Sequence, residues 1–351
     1  MQNKSILVAC VAFLIAACAT PAPETVTPTP TSIRSQPTST PIPPTPTPSP
    51  TPEPTATPVP RREIVLERGN VICGIDVARP DLARFDVDFC RAVAAALFDD
   101  AEAIDVRSLD LPSGAAALKF GAIDVFIGGP AHTGVLEGPF GSQDWFFDAA
   151  GAIARIDVGI TRLPDLKFAT VCMIQGSIEE RLFDEAAGAA RVRVQPYRFN
   201  PGDDDAMYRT YDEGHCDAVV DNRVRLAQML PALSAPREHA LIDLTLPIGW
   251  HNPLTALSDA QWSGAIASIG YGLFRAEELG VSSVNVDAAL SSDDPTVQEL
   301  LLGSRPGFSS DFVARIIRHV GNYGEVYARH FPDLPRGPNA LAKDGGAIGA
   351  P

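Results

Sequence analysis

Twice along this chain a short apolar run is followed by a helix-patterned stretch and another apolar run, and this alternation leaves little freedom in how the chain can fold. Val71-Ile72-Cys73-Gly74-Ile75 reads as a buried strand. The segment after it repeats Phe85, Phe89, Val93 and Leu97 along one helix face, with Asp86 and Asp88 in its first turn. Ile104 to Val106 is expected as a short strand, and Ser113 is placed to cap a helix that runs to Phe120 and ends at Gly121. Ile123 to Ile127 is the next strand, stopped by Gly128-Gly129-Pro130. This βαβαβ order predicts a parallel sheet with helices on its faces. The second pass has strands at Ala169–Ile174, Val192–Val194 and Cys216–Val220, the last ending at Asp221-Asn222. Its helices open at Gln175-Gly176-Ser177, with Leu182 and Phe183 on the apolar side, and close after Tyr208–Glu213 at Gly214. Gly121-Ala122-Ile123-Asp124-Val125 and Gly214-His215-Cys216-Asp217-Ala218 share one local signature. Two similar α/β lobes follow. Ligands of open α/β sheets sit beyond the carboxyl ends of the strands, so residues 128–133, 175–178 and 221–223 are expected around one cleft.

The 351 residues, 45% hydrophobic, suffice for two lobes with real cores. The prolines crowd into Pro21–Pro60, a Thr-Pro repeat that suits neither helix nor sheet. It is expected as an extended polyproline II spacer reaching on the order of 100 Å. Before it, Lys4 and the apolar run Ile6–Ile15 have the anatomy of an export signal, ending in Ile15-Ala16-Ala17-Cys18. That ending is similar to a bacterial lipobox, with Cys18 as the lipidated residue and the membrane as a partner through the anchor. Residues 1–18 are thus expected as a lipoprotein signal peptide and 19–63 as a disordered tether. The net charge of -15 disfavours nucleic acid and anionic surfaces as partners.

Several long stretches, in order, resemble the general L-amino-acid-binding proteins of polar amino-acid ABC importers. They are Val87-Asp88-Phe89-Cys90-Arg91-Ala92-Val93-Ala94-Ala95-Ala96, Tyr211-Asp212-Glu213-Gly214-His215-Cys216-Asp217, Ala276-Glu277-Glu278-Leu279-Gly280-Val281 with Asn285-Val286-Asp287, and Val320-Gly321-Asn322-Tyr323-Gly324-Glu325-Val326-Tyr327, with Asn339-Ala340-Leu341 near the end. The resemblance spans roughly residues 64–346. It implies the type II periplasmic-binding-protein fold, two α/β lobes joined by a two-strand hinge. Residues 64–157 and 249–346 would form a discontinuous first lobe, residues 158–248 the second, and residues 347–351 a tail. The lobes would close on ligand. The implied role is that of an extracytoplasmic lipoprotein, at the cell surface or in the periplasm, passing a small amine-bearing solute to an ABC permease. A monomer without cofactor or metal is expected.

Four cysteines remain beyond the signal and the anchor, allowing three pairings. A bridge between lobes would block closure, so pairing within lobes, Cys73–Cys90 and Cys172–Cys216, is the natural choice in an exported protein, and the resemblance implies the same. Free buried thiols and a metal site are the alternatives, the latter without any CxxC spacing.

The resemblance also implies a ligand site. Asp221 would pair with the ligand ammonium, and the Gln175-Gly176-Ser177 turn would hold a carboxylate through free N–H groups and the Ser177 hydroxyl. Gly129, His132 and Thr133 would face the cleft from the first lobe. That lobe departs from the family pattern: Leu136 stands where a carboxylate-forking arginine would align, and Gly and Pro replace most hydroxyls. Loss of a bidentate guanidinium removes the strongest carboxylate contact. Arg79, Arg84 and Arg223 are the candidate substitutes, and weak binding of standard L-amino acids is expected. His215, His239, His251, His319 and His330 show no metal spacing, and Trp145, Trp250 and Trp262 are read as packing residues. The rival readings are a sensory or scaffold binding domain on the same fold and a dehydratase-like enzyme, for which Asp221 with His132 is the one candidate acid–base pair.

Overall fold

The computed structural model describes residues 59–128, 140–142, 144–256 and 258–349. In chain order its elements are α1 (Arg61–Arg68), β1 (Val71–Asp76), α2 (Ala83–Phe98), β2 (Ile104–Leu109), α3 (Leu111–Lys119), β3 (Val125–Gly128), β4 (Phe140–Ser142) and β5 (Phe146–Arg155). Then come β6 (Thr170–Ile174), α4 (Ile178–Ala189), β7 (Gln195–Phe199), α5 (Asp204–Asp212), β8 (Ala218–Asn222), α6 (Arg223–Met229), β9 (His239–Leu241) and β10 (Leu246–Ala256). The helices α7 (Ala260–Glu278), α8 (Val286–Ala289), α9 (Pro295–Leu302), α10 (Phe312–His319) and α11 (Tyr323–His330) complete the chain.

The strands form one path, β2-β1-β3-β10-β5-β8-β6-β7. It holds two parallel triplets of the same order, β2-β1-β3 and β7-β6-β8. Between them lie β10 and β5, each antiparallel to its neighbours. The chain therefore builds the same unit twice and passes between the two along β5 and β10. Along β5 the second-lobe pairing begins at Ala150, opposite Asn222 of β8. In β10 the register shifts between Pro247 and Gly249, and Gly249 takes φ 150°, a conformation that suits only glycine.

The expected α2 stripe is buried: Phe85, Phe89 and Val93 are at most 1% exposed, and Leu97 packs against the same core. Each fully buried Phe contributes about 1.5–3 kcal/mol. Trp145 joins Phe85, Phe89, Phe274 and Tyr323 in one aromatic cluster, which fixes α2, α7 and α11 on one face of the first triplet. The second triplet has a core on each face, one around Phe183 and one around Met207 and Tyr211.

The Gly-x-x-Asp signature has a physical meaning. Asp124 Oδ2 accepts the Ile72 N–H at 2.7 Å and the Asp124 N–H returns to the Ile72 carbonyl at 2.8 Å. Asp217 Oδ2 treats the Thr170 N–H in the same way at 2.7 Å, and its own N–H reaches the Thr170 carbonyl at 2.8 Å. Each aspartate thus ties the entrance of its own strand to that of the first strand of its lobe.

Two local expectations are corrected. Asp110, not Ser113, caps α3: its carboxylate accepts the Ser113 N–H at 2.7 Å, because an extended residue just before the helix can reach that N–H. The strand expected at Val192–Val194 is β7, Gln195–Phe199. It pairs on one side only, as the edge of its triplet, so it carries polar and exposed residues that an apolar-run criterion passes over.

Candidate functional site

Between the triplets lies a cavity of about 190 Å³. Asp76 at the end of β1 and Ala78 and Arg79 just past it line the cavity from the first lobe. Ile178 and Glu179 at the start of α4 and Asn222 at the end of β8 line it from the second. Asp148 of β5 and Ile248, Gly249, Trp250 and His251 of β10 form the hinge wall. The cavity therefore sits beyond strand ends of both lobes, as parallel sheets dictate.

Its electrostatics are those of carboxylates in excess. Arg79 is gripped by Asp81, with Nη2 to Oδ2 at 2.6 Å and Nε to Oδ1 at 3.1 Å, and by Asp148 through Nη1. Burial lowers the Arg79 pKa, but the Asp148 and Asp81 charges outweigh it, so the guanidinium is held cationic above its usual range. Asp148 Oδ1 accepts from Asn222 Nδ2 at 2.7 Å, so both of its oxygens are engaged. Asp76, 6% exposed, uses one oxygen to accept the Ala78 N–H at 2.9 Å, and Oδ2 has no partner among the described residues. Glu179, 7% exposed, gives Oε1 to Arg225 Nη2 at 3.0 Å, and Oε2 has none among them.

Behind the wall, His251 Nε2 and Asp86 Oδ2 are 2.9 Å apart and both residues are buried. His251 Nδ1 and Asp86 Oδ1 have no partner among the described residues. Burial raises the Asp86 pKa, and the His251 and Arg79 charges offset this only in part.

Asp221 is buried but is not among the residues that line the cavity. Tyr208 Oη donates to its Oδ2 at 2.8 Å, and the Asn222 N–H and Arg225 Nε donate to its Oδ1 at 2.6 Å and 2.9 Å. Burial and this carboxylate hold the Tyr208 pKa well above its usual value. Strand alternation is the reason: neighbours 221 and 222 point to opposite faces, and Asn222 has the cleft side.

The Gln175-Gly176-Ser177 turn is built as expected, with Gly176 at φ 76°, but its donors are taken. The Gln175 N–H goes to the Phe199 carbonyl at 2.8 Å and the Gly176 N–H to Glu180 Oε2 at 2.6 Å, while Ser177 Oγ accepts the Glu180 N–H at 3.0 Å. The residues that follow, Ile178 and Glu179, line the cavity instead. Of the substitute arginines, Arg79 lines the cavity, Arg84 is exposed, and Arg223 donates to the Leu244 carbonyl at 2.7 Å. Gly129, His132, Thr133 and Leu136, like Cys18, lie outside the described residues.

Trp145 and Trp262 are core residues, but Trp250 lines the cavity, its ring 5.3 Å from that of Phe147 in a T-shaped contact. Sequence reading had Asn222 within the 221–223 loop expected at the cleft but passed over Asp76, Asp148, Glu179 and His251 as cleft residues. For Asp76 a signal existed, a polar residue closing a buried apolar run. Among the described residues no group of three or more His, Cys, Asp and Glu is arranged to hold a metal ion. Cys73–Cys90 and Cys172–Cys216 are both disulfide-bonded.

Two repeated α/β lobes, a pair of crossing strands and a polar cavity between them define a two-lobed solute-binding protein of the type II periplasmic-binding fold. No protein-family model matches the chain. The chain is 28% identical over 314 residues to the general L-amino acid-binding periplasmic protein AapJ of Rhizobium johnstonii, covering 82% of this chain and 91% of that one. It is 27% identical over 314 residues, with the same coverage of 82% and 91%, to the glutamate/glutamine/aspartate/asparagine-binding protein BztA of Rhodobacter capsulatus. Among solved structures it is similar to an ABC transporter periplasmic binding protein from Brucella ovis with glutathione bound, at a TM-score of 0.65 and 25% identity, covering 84% of this chain and 99% of that one. Over most of its length the chain is thus similar to amino-acid-binding proteins of ABC importers.

Proposed function

We propose that this protein is a lipid-anchored capture component that binds a small amine-bearing solute in the cleft between its lobes and delivers it to an ABC permease as a monomer. One observation carries the ligand class. The cavity's arginine, Arg79, is held by Asp81 and Asp148, whereas Asp76 Oδ2 and Glu179 Oε2 are unshared among the described residues. A ligand carboxylate would have to displace an internal carboxylate from Arg79; an ammonium meets oxygens that are ready to accept. Charged hydrogen bonds of this kind contribute about 1.5–3 kcal/mol each. In this reading Asp221 acts from behind the cavity, holding Arg225 against Glu179, and Asn222 faces the ligand. The first lobe comprises residues 64–157 and 249–346 and the second residues 158–248, with residues 347–351 as a tail. Residues 19–63 form the tether to a lipid on Cys18.

Native mass spectrometry of protein purified without refolding, followed by calorimetry against the twenty amino acids, tests the ligand class. A co-purified amine with weak binding of standard amino acids is expected. Micromolar affinity for a dicarboxylate lacking an amine would overturn it. Radiolabelled palmitate incorporation, abolished by Cys18→Ser, tests the anchor; labelling unchanged in the variant refutes it.

A further inference from the structure

We propose that the cleft selects an organic dication: a small diamine, or amine with a guanidinium, that carries no carboxylate and is held between Asp76 of the first lobe and Glu179 of the second. This rests on the amine-binding reading above and narrows it.

Three observations carry it. The first is the charge around the cavity. Among the described residues Asp81 and Asp148 pair with Arg79, Glu179 and Asp221 pair with Arg225, and Asp76 stands on the cavity wall without an ion pair, so these five carboxylates exceed the two guanidinium groups by three charges. A zwitterionic amino acid adds no net charge and leaves that excess in place, whereas a dication removes most of it in surroundings where burial makes unpaired charge expensive. The second is placement. Asp76 Oδ2 and Glu179 Oε2, carboxylate oxygens without partners among the described residues, belong to residues on opposite lobes that line the same cavity. One ammonium can satisfy one of them, and a molecule with a cation at each end satisfies both and thereby ties the lobes together. The third is independent of the acids: Trp250 and Ile248 line the same cavity, an apolar surface for the hydrocarbon between two cations.

The volume of about 190 Å³ suits a chain of a few methylenes between two ammonium groups, and Trp250 and Ile248 give that chain an apolar wall. Such a molecule is a basic amino acid without its carboxylate, which fits a site whose arginine is already occupied.

Calorimetry on the full chain, purified without refolding and dialysed exhaustively, would compare cadaverine and putrescine with L-lysine, pentylamine, L-glutamine and succinate. We expect one diamine to bind about tenfold or more tighter than both L-lysine and pentylamine. Asp76→Asn and Glu179→Gln should each weaken that diamine about tenfold, with melting curves showing the variants folded. L-lysine or L-glutamine binding as tightly as the diamines overturns the dication and leaves the amine-binding reading standing. Equal affinity for pentylamine and the diamines, or wild-type diamine affinity in both variants, also overturns it. Binding of succinate alone, or of no amine at all, sinks both readings.

Discussion

Asp86 and His251 form a buried couple behind the cleft wall, and the consequence is a stability that depends on pH. Burial raises the Asp86 pKa above the usual carboxylate range, with the His251 and Arg79 charges opposing and Asp81 adding. A group raised on folding contributes stability that is complete below its unfolded value and is lost as pH rises through the folded one. Asp86→Asn keeps the shape and a hydrogen-bonding partner for His251 but does not titrate. Its melting temperature relative to the parent should therefore climb as pH rises from about 4 to 7. A constant difference across that range, measured by scanning calorimetry, would show that Asp86 does not titrate there. Asp221 illustrates a different residue-scale lesson: a buried acid at a strand end is a ligand group only if alternation turns it to the cleft, and here the neighbour Asn222 has that side.

At the scale of elements, each lobe is locked where its first strand starts and again by one disulfide. Cys73 joins β1 to α2 across 17 residues, and Cys172 joins β6 to Cys216, two residues ahead of β8, across 44. In the chain-entropy account a longer loop loses more freedom in the unfolded state, each bridge contributing about 2–4 kcal/mol and the second about 1 kcal/mol more than the first. Urea denaturation of Cys73→Ser/Cys90→Ser against Cys172→Ser/Cys216→Ser checks the ranking. A larger loss for the first pair would mean that contacts in the reduced chain, and not loop closure, set the value.

For the whole molecule, the hinge strands are held from the far end of the sequence. Asn339 Oδ1 accepts the Phe147 N–H at 2.6 Å and its Nδ2 donates to the Phe147 carbonyl at 3.0 Å, fastening the last segment to β5 next to Asp148 of the cavity. Asn339→Ala leaves both part-buried backbone groups without that partner and is expected to cost about 1–3 kcal/mol. Equilibrium denaturation measures it, and a loss below about 1 kcal/mol would mean that water replaces the side chain. Across the cleft, Gln228 of α6 donates to the Asp81 carbonyl at 3.1 Å, linking the lobes beside Arg79. The alternation of apolar runs, the glycine-ended helices and the paired Asp124 and Asp217 determined from sequence alone that the chain makes two parallel units, because those signals arise from contacts within a few residues. Edge strand β7 and the C-terminal helices were less legible, since an edge need not be apolar and helix packing is decided by distant partners. The ligand wall was decided only by tertiary structure. Asp76, Asp148, Glu179, Asn222 and His251 come from five separate stretches, and whether a carboxylate there is free or already spent on an arginine depends on neighbours that the fold, and not the order of residues, brings within hydrogen-bonding reach.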